Sequence, residues 1–314
     1  MKSEKKRPIR GFIRTIGGDI SPRDVRYAMC HEHGFLALNN ESPEEVERRL
    51  PEIEKRMTRD FKNLVSKGVN LFVEVTPAGY SRPVEMWRRV AAMTGMNVVA
   101  ATGYYAENHI PLAEKRKPVA SMARLFVREL VDGIDGTTCR AGVIKVASHG
   151  CVLKKAEEKA FIAAAMAYRE TGAPITTHSP KAPLAHLDKL AELGVPAEAV
   201  ALGHVEVSPW EDVLRISARG AMMLFTNFGG EDIVPEDVII AQIRDMIRRG
   251  RLNQILISVD MYLYLKNGRL IHRNRGGYEQ LVTRVLSRMT KAGIKPAWID
   301  KMLHENPLRH IYWR

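Results

Sequence analysis

Eight short apolar runs, spaced by longer amphipathic stretches, set the tightest limit on what this chain can fold into. The runs are YAMCHEH (27–33), NLFVEVT (70–76), NVVAATG (97–103), GVIKVA (142–147), APITTH (173–178), AVALGH (199–204), AMMLFTN (221–227) and QILISVD (254–260). They are continuous rather than alternating, the pattern of strands covered on their outer face by helices. The intervening stretches carry helix punctuation. SPEEVERRLPEIEKRMTRDFKNLVSKG opens on Ser42 as an N-cap with Glu45 three residues on, and closes at Gly68. SPWEDVLRISARG starts on Ser208 with Pro209 at the first helical position and stops at Gly220. Eight strands alternating with helices predict parallel β/α units closing into a (β/α)8 TIM barrel. A doubly wound open sheet is the structural alternative, but no G-x-G-x-x-G phosphate turn occurs. The barrel is expected to span residues 1–314 as one domain, with RGFIRTIGGDISPRDVR forming a small hairpin ahead of it.

The polar residues fall at the ends of these runs. His31 and His33 end the first, His178 the fifth, His204 the sixth and Asp260 the eighth, and Lys145 lies within the fourth. Strand C-termini of such a barrel converge on one face, where chemistry sits. Residues i and i+2 on a strand point the same way, so His31 and His33 project together. Imidazole with carboxylate is a ligand set for zinc and its neighbours. Four histidines and an aspartate exceed the three protein ligands of one catalytic zinc. The excess suggests two divalent ions, about 3.5–4 Å apart. A lysine inside an apolar strand is anomalous, because burial strips its charge of water, and a cation there would worsen the repulsion between two metals.

The motifs HEH, GVIKVA, ITTH, LGH and SVD, in this order and spacing, resemble the phosphotriesterase family of the amidohydrolase superfamily, which includes phosphotriesterases and lactonases. The likeness continues in VTPAGYSRPVEMWRRVAAMTGMNVVAATGYY and HENPLRHI and covers nearly the whole chain. The resemblance implies a (β/α)8 barrel and a binuclear centre. Lys145 would be a carbamate formed with carbon dioxide, an anion with one oxygen for each metal. One ion would take His31, His33, Lys145 and Asp260, the other Lys145, His178 and His204, and a hydroxide would bridge them. Asp260 would accept the proton as that hydroxide attacks a carbonyl or phosphoryl centre. Zinc is the leading choice of metal, with manganese, cobalt or iron compatible with the same donors.

The family likeness also draws attention to Tyr105, which in lactonase relatives contacts the hydroxide or substrate; the alternative is packing at the barrel rim. The stretch after the last strand, YLKNGRLIHRNRGGY, reads as a long basic loop. Lys266, Arg269, Arg273 and Arg275 would lie on the substrate-facing end of the barrel, and Arg275-Gly-Gly-Tyr278 would make an anion clamp at the start of the final helix; the alternative is a solvated loop. The substrate expectation is therefore a lactone, including a sugar lactone bearing a phosphate or other anion, with a phosphoester as the alternative. Asn227-Phe228 stands where quorum-signal lactonases tend to have Asp-Arg, which counts against a long-chain acyl-homoserine lactone. Cys30 reads as a small buried hydrophobe facing away from His31 and His33. Glu32 is expected to be structural, and His149 to lie on the surface.

The net charge of +12 raises a non-enzymatic reading, a basic protein binding nucleic acid or an acidic partner. The charges alternate in sign along PEEVERRLPEIEKRMTRD, however, as on a solvated helix face, so no nucleic acid is expected. No apolar run reaches the roughly 18 residues of a membrane span, and the basic start lacks the apolar stretch of a secretory signal. A cytoplasmic enzyme acting on a small molecule is the expectation. Relatives are often dimers, so a homodimer is a further expectation, with Trp210 and Trp313 as contact candidates.

Overall fold

The computed structural model describes residues 11–37, 41–229, 233–267, 269–272 and 276–313. Eight parallel strands follow one another in space as in sequence: β1 (Tyr27–Ala37), β2 (Val69–Glu74), β3 (Asn97–Gly103), β4 (Ala141–Ala147), β5 (Ile175–His178), β6 (Val200–Gly203), β7 (Met222–Phe225) and β8 (Ile255–Ile257). The sheet curls until β8 meets β1. No regular ladder closes this seam among the described residues. Instead the His33 N–H donates to the Met261 carbonyl at 3.1 Å, and the His31 N–H to Ser258 Oγ at 3.0 Å. Glu32, fully buried, accepts from Ser258 Oγ and the Val259 and Met261 N–H groups at 2.7–2.9 Å. The carboxylate supplies the acceptors that a missing strand pairing would have supplied.

The strands divide their apolar residues between two cores. Leu71, Val73, Val99, Ala101, Val143, Ala201, Met222, Leu224 and Leu256 fill the barrel interior. Their sequence neighbours, such as Phe72, Val98, Ile144, Leu202 and Met223, pack outward against the helices. This is the period-two division of a sheet buried on both faces. The helices are α1 (Pro43–Ser66), α2 (Val84–Thr94), α3 (Val119–Val131), α4 (Lys155–Thr171), α5 (Pro183–Glu192), α6 (Trp210–Ala218) and α7 (Glu236–Arg248). A widened turn, Leu281–Val285, then runs into α8 (Leu286–Lys291). Ser42 caps α1 by accepting the Glu45 N–H, and α6 begins one residue later than expected, with Pro209 at the cap.

The expected N-terminal hairpin is present, Phe12–Thr15 paired with Gly18–Ile20, and the chain end adds Tyr312–Trp313 to it. This small sheet covers the N-terminal end of the barrel. Trp313 stacks on Phe12, lies under the Arg14 guanidinium and donates from Nε1 to the Gly142 carbonyl at 2.9 Å. Trp313 is thus buried in its own chain and does not serve as an exposed contact for a second copy.

The stretch after β8 corrects the loop expectation. It folds as a hairpin of β9 (Tyr262–Lys266) and β10 (Arg269–His272), and β9 runs parallel to the upper half of β1, Tyr262 beside His33 and Tyr264 beside Leu36. The eleven-residue β1 rises above the barrel rim to meet it. Alternation then decides the faces: Leu263 and Leu265 are buried, while Tyr262 and Tyr264 turn to the barrel mouth. No helix of the described residues is long and apolar enough to cross a membrane.

Candidate metal centre

β1 carries a bulge. Its register to β2 runs Ala28 to Leu71 and Met29 to Phe72, then skips to Glu32 beside Glu74. The extra residue changes the pleat phase. Cys30 stays in phase with Ala28 in the interior core, and the extra residue turns His31, directly above it, inward as well. Cys30 is the small buried hydrophobe expected, but it does not face the outer side; the bulge lets consecutive residues share the interior. Lys145 needs no such device, being in phase with the interior Val143.

His31 is the hub. A nitrogen of its ring lies with ligand atoms of His178 and His204 in one group, and with those of His33 and Asp260 in a second, all atoms within a group being within 4.8 Å of one another. Lys145 Nζ is 3.1 Å from His31 Nε2, and Asp260 Oδ1 is 3.6 Å from His33 Nε2. Two overlapping groups of three, with a lysine against the shared histidine, suit the donor chemistry of a two-ion centre.

The backbone is shaped around this cluster. His204 and Asp260 hold left-handed conformations at φ 63° and 47°, each a cost of about 1–3 kcal/mol that a surrounding structure must offset. They turn the chain sharply at the ends of β6 and β8. Gly203 leaves room for His31: a Cβ there would lie 3.0 Å from His31 Cε1 and 2.5 Å from the Thr177 carbonyl oxygen.

Burial sets the protonation. It pushes the His31 and His178 imidazoles well below their ordinary range, with help from Lys145 and the other histidines. Neutral imidazoles are the ligand form. Burial also lowers the Lys145 amine to about 7, opposed by the Asp260 carboxylate.

Above the cluster opens a cavity of about 340 Å3. His33, His178 and Asp260 form its floor, and Tyr80, Tyr105, Tyr262 and Tyr264 its walls, with Leu36. Tyr105 places its hydroxyl 2.7 Å from His178 Nε2. His109 and His149 complete the lining. His149, expected on the surface, is exposed yet sits with its ring 5.2 Å from Tyr105 and 5.7 Å from His178. His109 stacks on Tyr80, and burial, the neighbouring His149 and Lys115 lower its pKa. Both histidines come from loops after β3 and β4, where no strand pattern marks them.

Tyr278 takes no part in the expected anion clamp. Tyr278 is buried in the wall behind β1, donating to the His33 carbonyl at 2.7 Å and meeting Phe72 edge-on, so it cannot reach a substrate. Lys266 is exposed beside Arg269 at the far end of the hairpin, away from the cavity lining. Arg275 lies outside the described residues. No lysine or arginine lines the cavity among the described residues. Asn227 is buried, donating to Glu206.

The phosphotriesterase family model matches residues 11–311. The chain belongs to the phosphotriesterase family. It is 31% identical over 286 residues to the phosphotriesterase homology protein of Escherichia coli, covering 90% of this chain and 96% of that protein. It is 28% identical over 260 residues to an aryldialkylphosphatase of Saccharolobus solfataricus, covering 79% and 81% of the two chains. A lactonase structure from Listeria monocytogenes superimposes with a TM-score of 0.84 at 22% identity, covering 96% and 99%, a likeness of fold. This family member is a hydrolase with histidine and aspartate groups able to hold metal.

Proposed function

We propose that this chain is a binuclear metal-dependent hydrolase that opens an uncharged lactone. The observation that carries the reading is the pair of ligand groups sharing His31 on the floor of the tyrosine-walled cavity. Zinc or a similar divalent ion bound there would polarise a carbonyl and lower the pKa of water toward about 7. His31, His33, Lys145 and Asp260 would hold one ion, and Lys145, His178 and His204 the other.

Lys145 reaches this role by covalent chemistry. An amine with a pKa of about 7 is in large part neutral at physiological pH. Its lone pair adds to the carbon of carbon dioxide, an N–C bond forms and one proton leaves, giving a carbamate with two ligand oxygens. Asp260, at the cavity floor, takes the proton released as water adds to the carbonyl. Tyr105 holds the His178 ring through its hydroxyl and offers that phenol to the carbonyl oxygen. Four tyrosines and Leu36, with no cationic group among the described lining, favour an uncharged, flat substrate.

A phosphoesterase reading uses the same residues and draws support from the aryldialkylphosphatase name of a relative. The metal-loaded protein assayed against neutral lactones, phosphorylated lactones and phosphotriesters separates them. Faster turnover of neutral lactones supports the proposal; a triester cleaved well with every lactone untouched overturns the substrate assignment.

A further inference from the structure

Two threonines stand behind the ligand cluster and are held in the same way. Thr76, just past the end of β2, places Oγ1 2.7 Å from His33 Nδ1. Thr226, just past β7, places Oγ1 2.7 Å from His204 Nδ1. A buried glutamate backs each of them. Glu206 Oε1 receives the Thr226 N–H at 3.0 Å and the Asn227 N–H at 2.7 Å, and lies 3.0 Å from Thr226 Oγ1. Glu74 Oε1 receives the Thr76 N–H at 2.9 Å and its Oε2 receives the Gly34 N–H at 2.5 Å; the Thr76 hydroxyl lies near enough to this carboxylate to favour its anion.

The direction of these bonds follows from proton counting. A peptide N–H only donates, so the carboxylate oxygens it meets are acceptors. A threonine hydroxyl has one proton. Directed at the glutamate, it leaves the hydroxyl oxygen to accept, and the partner on that side is an imidazole nitrogen. That nitrogen, Nδ1, then carries the hydrogen, and Nε2 carries a lone pair. His33 Nε2 faces Asp260 Oδ1 at 3.6 Å. Two lone-pair atoms so placed repel unless a cation lies between them.

We infer that Thr76 and Thr226 are positioning residues that set the tautomer of His33 and His204, each relaying a buried glutamate through its hydroxyl so that Nε2 is presented to a divalent cation. The same device on opposite sides of the barrel, from β2 and from β7 with the turn after β6, serves one histidine of each ligand group. The inference rests on the metal-hydrolase reading only for what fills the cluster; the tautomers stand apart from it. Partners of this kind fix ring orientation and ligand basicity, and their loss lowers metal affinity about 10–100-fold.

Long-range 15N–1H spectra of the metal-free full chain, at a pH of about 8.5 where imidazoles are neutral, read the tautomers directly. His33 and His204 are expected as Nδ1–H forms, and Nε2–H forms would overturn the inference. Thr226→Ser keeps the hydroxyl and Thr226→Val keeps the shape without it. The Val protein is expected to lose the pure Nδ1–H signal of His204 and to bind zinc about 10–100-fold more weakly in calorimetric titration, with the Ser protein close to wild type. A Val protein with unchanged tautomer and unchanged zinc affinity would overturn it. The wild-type spectrum decides the tautomer even where the Val protein fails to fold. Nδ1–H tautomers in a wild-type chain that takes up no zinc would sink the metal-hydrolase reading and leave the relay standing.

Discussion

Gly203→Ala is a steric probe of the strand end that frames His31. Gly203 does not occupy the left-handed region, so alanine meets no backbone penalty and only space decides. The added Cβ would lie 2.5 Å from the Thr177 carbonyl oxygen, about 0.9 Å short of ordinary contact, and 3.0 Å from His31 Cε1. The first clash is with backbone on the neighbouring strand, where Thr177 pairs with Leu202, so β5 and β6 must separate. The second pushes the ring shared by both ligand groups. Forcing one methyl into a packed interior costs about 1–3 kcal/mol. At roughly 2.1 cal/mol/K of unfolding entropy per residue, Tm falls by about 2–5 °C for a chain of this length. Differential scanning calorimetry of the metal-free protein gives the stability loss, and zinc titration gives the displacement of His31 as weakened affinity. A variant that melts within about 1 °C of wild type and binds zinc unchanged would refute the packing argument.

Two further predictions follow from single side chains. Tyr105→Phe removes the hydroxyl 2.7 Å from His178 Nε2; a hydrogen-bond partner left unmet costs about 1–3 kcal/mol, which taken from the transition state lowers kcat/KM for a lactone about 5- to 150-fold, and unchanged kinetics would reduce Tyr105 to a rim residue. His310 is buried with neither ring nitrogen hydrogen-bonded, and burial lowers its pKa from 6.5 to about 4. The unfolded chain therefore binds a proton below 6.5 that the folded chain refuses until about 4, so stability is full above this window and falls by about 3 kcal/mol as pH drops through it. Urea midpoints at pH 7 and 5 should show about 2 kcal/mol of that loss in the wild type that is missing in His310→Leu; equal losses in both would refute the assignment.

The barrel was legible because parallel strands buried on both faces leave continuous apolar runs that few other structures produce. The candidate ligands were legible because a histidine or aspartate at the end of such a run has one place to go. The hairpin of β9 and β10 was also written plainly, as YLYL and RLIH around the pair Asn267-Gly268, an alternating pattern about a dipeptide that signals a hairpin in sequence. Its lysines and arginines drew attention to charge instead, and Lys266 was placed at the substrate on that ground. Tyr278 could not be placed because its burial depends on β1 rising above the rim. The bulge at Cys30 is likewise invisible, since it is a property of the pairing with β2. Glu74 and Glu206 look like any solvated carboxylates in sequence; only the fold surrounds them with N–H donors and threonine hydroxyls. His109 and His149 lie on loops, and loop residues reach a cavity through tertiary packing rather than periodicity.

The claim beneath the proposed function is that two ligand groups sharing His31, with a lysine against it, hold two divalent ions. Elemental analysis of the purified full chain, grown with zinc and bicarbonate, tests this most directly. The account predicts close to two metal equivalents per chain in the wild type and a marked fall in Lys145→Ala. A wild-type protein that is folded and carries almost no metal after supplementation would contradict it.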